Sequence, residues 1–104
     1  MGKNKEINTL TNLLAKALRH RIGSIVNKHE IYSQKYAKDT DVLINEARKI
    51  ESKENWSLSD KIKIKKDLKK RLRTELESKE FIDNKKFDLM NEHIELVLKT
   101  LGLN

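Results

Sequence analysis

The chain has 104 residues, 37% of them hydrophobic, with 23 Lys plus Arg against 16 Asp plus Glu and a formal net charge of +7. That length suits one small domain, and the apolar share is too high for a typical disordered chain. The absence of cysteine excludes disulfides, Cys-ligated zinc and thiol catalysis, and no apolar run approaches the ~18 residues that a membrane span needs.

The N-terminus reads Met1-Gly2-Lys3-Asn4-Lys5-Glu6. Glu6 stands where a myristoylation motif wants Ser or Thr, and no apolar stretch follows the early lysines as a signal peptide requires. The expected compartment is the cytoplasm, with no membrane partner.

There is no proline to force a helix break, so breaks must be inferred from caps and phase. The first helix is expected over about 5–38. Its seam is Ile7, Leu10, Leu14, Leu18, Ile22, Ile25, His29, Tyr32 and Tyr36, in steps of three and four that suit a helix or a coiled coil. Gly23 falls inside this pattern without shifting its phase. Asp39-Thr40-Asp41 offers N-cap side chains, so a second helix is expected over about 41–54, with Leu43, Ala47 and Ile50 inward. An alternative keeps Thr40 in phase with Tyr36 and Leu43 and runs one helix from Lys5 to Lys53.

Glu54-Asn55-Trp56-Ser57 reads as a connection. Ser57, with Asp60 three residues on, resembles a capping box. The third helix is expected over about 58–79, with Leu58, Ile62, Leu68, Leu72 and Leu76 inward and Ile64 at the edge. Phe81-Ile82-Asp83-Asn84 reads as a turn. The last helix is expected over about 85–101, burying Phe87, Met90, Ile94, Val97 and Leu101, with Gly102 as its stop.

The fold class is therefore all-α: a single domain forming a three- or four-helix antiparallel bundle with a long, coiled-coil-like N-terminal helix. A first helix longer than its partners leaves part of its seam uncovered. Exposed apolar patches of that kind mark interfaces, so a homodimer is expected through Leu10, Leu14, Ile25 and Tyr32.

Enzymatic signals are poor. No Gly-rich loop precedes a helix, so phosphate cradling of the P-loop kind is absent. His20 and His29 are nine residues apart, about half a turn around one helix, and cannot share a metal within one subunit. Glu92 and Glu95 are ordinary surface acids. Leu18-Arg19-His20-Arg21-Ile22 resembles the phosphoacceptor segment of sensor histidine kinases. Arg21 departs from that family's pattern, which places an acid or Asn after the histidine, so His20 reads as a solvated side chain on a basic face. No catalytic residue, metal, cofactor or small-molecule substrate is expected.

Charge distribution is the strongest signal. Lys61, Lys63, Lys65, Lys66, Lys69, Lys70, Arg71 and Arg73 are opposed within their segment only by Asp67, so thirteen residues hold the whole net charge of +7. On a helix, Lys63, Lys66, Lys70 and Arg73 fall within an arc of about 80°, away from Leu68, Leu72 and Leu76. Together with Lys69 they form a stripe suited to the phosphates of a nucleic acid. Asn and Gln for base reading are scarce on it, and aromatics for stacking are absent. The expected function is non-enzymatic binding of a DNA or RNA backbone. The alternative is a small interaction or regulatory module, an adaptor or inhibitor whose stripe meets an acidic protein. Glu75, Glu77 and Glu80 could also quench the stripe by pairing one turn back.

Overall fold

The computed structural model describes residues 2–26, 33–78 and 84–104, without the side chains of 2, 33–37 and 84. These form four α-helices: α1 (Gly2–Val26), α2 (Ser33–Glu51), α3 (Leu58–Glu77) and α4 (Met90–Thr100). A short 3-10 turn, Asn84–Phe87, precedes α4. No strand occurs among the described residues. The fold is an all-α bundle in which α1 is the longest helix, as the apolar spacing predicts.

α1 is the central element and packs against each of the other three helices. Its buried positions are Ile7, Leu10, Leu14, Leu18 and Ile22, with Thr11, Ala15 and Ala17 beside them. A helix buries that much of its circumference only when neighbours cover it from several sides. α2 runs antiparallel to α1: Lys3 reaches Asn55 just beyond the end of α2, and Thr40 meets Ala17 midway. α3 runs parallel to α1, because cross-links join residues at a steady offset of 56 to 59 positions. α4 closes the bundle with Met90, Ile94, Val97 and Leu98.

Local chemistry sets the helix ends. Ser57 Oγ accepts from the Asp60 backbone N–H at 3.1 Å, and Asp60 Oδ2 accepts from the Ser57 N–H at 3.0 Å, which completes the expected capping box. Lys3 sits 2.7 Å from that carboxylate. The lysine hydrogen bond, with those from Ser57, lowers the Asp60 pKa from 3.8 to about 2. Trp56 is half-buried, and its indole donates to the Glu51 carbonyl at 2.9 Å, tying down the end of α2. α4 ends as Gly102 predicts. Gly102, at φ 70°, donates to Lys99, and Leu103 donates back to Leu98 at 2.7 Å. These are the two bonds of a Schellman motif, and Leu103 is buried beside them.

Several expected boundaries are corrected. The helix expected over 5–38 is two elements, since α2 (Ser33–Glu51) runs back antiparallel to α1 (Gly2–Val26). The continuous alternative from Lys5 to Lys53 fails for the same reason. His29 and Tyr32 lie outside the described residues. Asp39-Thr40-Asp41 starts no helix but runs inside α2. Thr40 is buried, and its hydroxyl donates across the bundle to the Ala17 carbonyl at 3.2 Å. Folding back lets one apolar stripe cover the other, which a single rod could not do. α4 begins at Met90 rather than near Lys85, with the 3-10 turn and Asp88-Leu89 before it. Phe87 is consequently half-turned to solvent, at 36% exposure, rather than buried.

The same packing takes two of the four residues expected to carry self-association into the core. Leu10 and Leu14 are fully buried within one chain, so they offer nothing to a second copy. Ile25 is partly exposed, and Tyr32 lies outside the described residues. The uncovered seam that led to a homodimer is absent over most of α1.

Candidate nucleic-acid interface

α3 builds the candidate surface from a plain repeat. Ile64, Leu68, Leu72 and Leu76 recur every four residues and are all fully buried. This row leans on α1 and fixes the rotation of α3, so the residues opposite must face solvent. Two expected inward residues are corrected here. Leu58 and Ile62 are exposed at 76% and 51%, and Ile64 takes the core position instead. The reason is phase: Ile62 lies about 160° around the helix from Ile64, so both cannot enter one core.

Lys63, Lys66, Lys69, Lys70 and Arg73 are all exposed on this outer side. They are not equally available. Arg73 pairs with Glu77 at 3.1 Å one turn on, as the nearby glutamates suggested. Arg71 pairs with Asp67 at 3.1 Å, and Lys65 pairs with Glu95 of α4. Lys63 donates to the neutral Asn4 carboxamide at 2.9 Å and forms no ion pair among the described residues, although its charge acts on nearby Asp67. Lys66, Lys69 and Lys70 have no ion pair or hydrogen-bond partner among the described residues. The charge outside ion pairs therefore centres on Lys63, Lys66, Lys69 and Lys70, with Arg73 as a half-quenched flank.

Two adjoining depressions lie where α3 meets α1. The first, of about 470 Å³, is lined by Asn8, Ser59, Ile62, Lys63, Lys66, Asp67 and Lys70. The second, of about 300 Å³, is lined by Asn12, Asp67, Lys70, Arg71, Thr74 and Glu75. They share Asp67 and Lys70 and so form one shallow groove along the helix pair.

Asp67 is the one acid within the basic segment, and the fold engages it closely. Its Oδ2 accepts from the Thr11 hydroxyl at 2.7 Å and from Arg71 Nε at 3.1 Å. Burial raises its pKa, but the Thr11 and Arg71 hydrogen bonds and the charges of Arg71 and Lys63 outweigh it. The carboxyl stays below its ordinary 3.8 and is ionised at neutral pH. Glu75 is likewise engaged, 3.3 Å from Arg19 of α1.

The α1 side of this groove carries no charge run or motif that would mark it in the sequence. Asn4, Asn8 and Asn12 are exposed at steps of four, on the flank of α1 that meets α3. The spacing was visible, but nothing in it said which helix would lie alongside. The histidines do not converge: His20 Nε2 lies 3.0 Å from Arg19 Nη2, His93 is buried in α4, and His29 is outside the described residues. Among the described residues no group of three His, Asp or Glu side chains could hold a metal, and no helix is long and apolar enough to cross a membrane.

Compared with models of protein families, with characterised proteins and with solved structures, the chain matches none of them.

Proposed function

We propose that this protein binds the phosphate backbone of a nucleic acid, without catalysis, through the outer face of α3. One observation carries the reading. Lys63, Lys66, Lys69 and Lys70 form an exposed cluster with no ion pair among the described residues, on a helix whose opposite face is locked into the core. From Lys63 to Lys70 the cluster spans ~10 Å along the helix, enough to meet several phosphates of a strand. Stacking on unpaired bases has little support, because no aromatic side chain lines the groove.

The test is affinity for duplex DNA as a function of salt. Each neutralised phosphate contributes roughly 0.9 to the slope of log affinity against log salt, so four lysines give a slope of about −3 to −4. Changing Lys63, Lys66, Lys69 and Lys70 together to Glu should abolish binding and leave helicity intact. A control changing the exposed Lys16, Lys38, Lys53 and Lys99 to Glu alters the charge equally and should retain most of the affinity. Equal loss in both variants would reduce the effect to net charge and sink the assignment.

A second reading, an interaction module for an acidic protein, has its own observation. Leu58 and Ile62 are exposed one turn apart beside Lys66 and Lys69, a mixed apolar and basic surface. Wild-type protein that ignores DNA at ~50 mM salt, yet binds an acidic amphipathic peptide through Leu58 and Ile62, would favour it.

A further inference from the structure

We propose that Asn4, Asn8 and Asn12 of α1 form the second wall of the binding track, donating hydrogen bonds to the phosphodiester oxygens that the α3 lysines attract. The proposal rests on the nucleic-acid reading and adds to it a set of uncharged contacts on a different helix.

The three carboxamides recur about every 6 Å along α1, one turn apart. Two are oriented by cations of α3. Asn4 Oδ1 accepts from Lys63 Nζ at 2.9 Å, and Asn8 Oδ1 accepts from Arg71 Nη2 at 3.4 Å. Ammonium and guanidinium groups can only donate, so they engage the oxygen of each amide. A carboxamide whose oxygen is engaged turns its NH₂ group away from the cation and towards solvent. Asn12 stands one turn further on, in the depression it shares with Lys70 and Arg71, and has no hydrogen-bond partner among the described residues.

Several of the groove's acceptors are meanwhile engaged. Asp67 Oδ2 takes Thr11 and Arg71, Glu75 Oε2 takes Arg19, and the Asn4 and Asn8 oxygens take Lys63 and Arg71. Donors predominate towards solvent: the ammonium groups of Lys63, Lys66 and Lys70 and the amides of Asn4, Asn8 and Asn12. Such a surface suits a ligand that repeats anionic acceptors along its length. A phosphodiester backbone does so, and asparagine is among the side chains that contact phosphates without reading sequence.

Charged and neutral contacts separate cleanly in a salt titration. A lysine–phosphate contact releases a counterion and sets the slope, whereas an amide–phosphate hydrogen bond adds affinity without changing it. The experiment measures binding of a labelled DNA duplex of about 20 base pairs from low to moderate salt. Wild type is compared with the triple variant Asn4→Ala, Asn8→Ala, Asn12→Ala and with the double variant Lys66→Ala, Lys70→Ala. Alanine is the better helix former, so α1 is not weakened by the triple change.

The expected result is a loss of roughly 10- to 30-fold for the triple variant at every salt concentration, with a slope parallel to wild type. The lysine variant should instead flatten the slope by about 1.8. Three results overturn the inference while leaving the proposed function standing. One is wild-type affinity in the triple variant. Another is a changed slope there, which would mean the amides act only by positioning Lys63 and Arg71. The third is a loss confined to Asn4→Ala alone. Wild-type protein that binds no duplex, or that poly-glutamate displaces as readily as DNA does, removes the proposed function itself and the inference with it.

Discussion

The two long seams of α1 are built differently. Towards α2, the contact is close and largely apolar among the described residues, with Ala17 and Ala47 fully buried and the Thr40 hydroxyl bonded to the Ala17 carbonyl. Towards α3, an apolar floor is rimmed by polar links: Lys3 to Asp60, Lys63 to Asn4, Thr11 to Asp67 with Arg71, and Arg19 to Glu75. Apolar burial is non-directional and resists separation, but does not specify an axial register closely. Hydrogen bonds and ion pairs are directional. The α3 rim therefore fixes how far α3 slides along α1, and so where its lysines stand relative to the asparagine row. The seam that sets geometry is also the seam beside the candidate site.

The largest expected effect breaks both seams at once. Leu14→Ala removes a fully buried side chain from the central helix. It should cost about 2–5 kcal/mol of stability in chemical denaturation. A loss below about 1 kcal/mol would show that the core around α1 collapses into the space, and that α1 is less central than its burial implies.

Asp67→Asn separates the rim from the core. It keeps the volume but removes the charge that Thr11 and Arg71 satisfy. Stability should fall by about 1–2 kcal/mol, because hydrogen bonds to a charged group are replaced by neutral ones. Duplex affinity should rise, because the groove loses its one acid from the basic segment. Unchanged or weaker binding in a folded variant would place the phosphates elsewhere.

The smallest effect comes from the α1–α4 contact, where a titratable group replaces an apolar one. His93 is buried, and its Nδ1 has no hydrogen-bond partner among the described residues. Burial lowers its pKa below the ordinary 6.5. The Arg21 cation adds to that shift, and Glu92 opposes it. The unfolded chain therefore takes up this proton first as the pH falls. Stability is full above the ordinary value and declines as the pH drops towards the lowered one. The melting temperature should be lower at about pH 5.5 than at about pH 7.5, and His93→Gln should shrink the difference. An equal difference in the variant would assign the effect to other groups.

Much of this was legible before any coordinates. The Ser57–Asp60 box, the Gly102 stop and the inward row of α4 follow from local backbone chemistry and helical period, which need no distant partner. The expectation failed where two patterns were locally equivalent. Ile62 and Ile64 both fit the third helix, and only docking on α1 chose Ile64. Thr40 fitted a cap as well as a core position, and the Ala17 carbonyl decided for the core. Leu10 and Leu14 belonged to a seam, but whether that seam met α2, α3 or a second copy depended on where the chain folded back.

The candidate site divides along the same line. The concentration of +7 between Lys61 and Arg73 is a property of the sequence, and so is the arc that gathers Lys63, Lys66, Lys70 and Arg73 on one side of a helix. Charge and periodicity act within a few turns of one segment, so they can be read from that segment alone. The link from Lys65 to Glu95 and the asparagine row beside the lysines join residues far apart in the chain. Within one helix, Asp67 could be paired with Arg71 from the spacing. That Thr11 would hold the same carboxylate, that Asn8 and Asn12 would line the groove and that Asn4 would meet Lys63 depended on α1 and α3 packing in parallel at one register. That register is set by the directional polar links along the rim of the two apolar rows, and it existed only once the helices had docked.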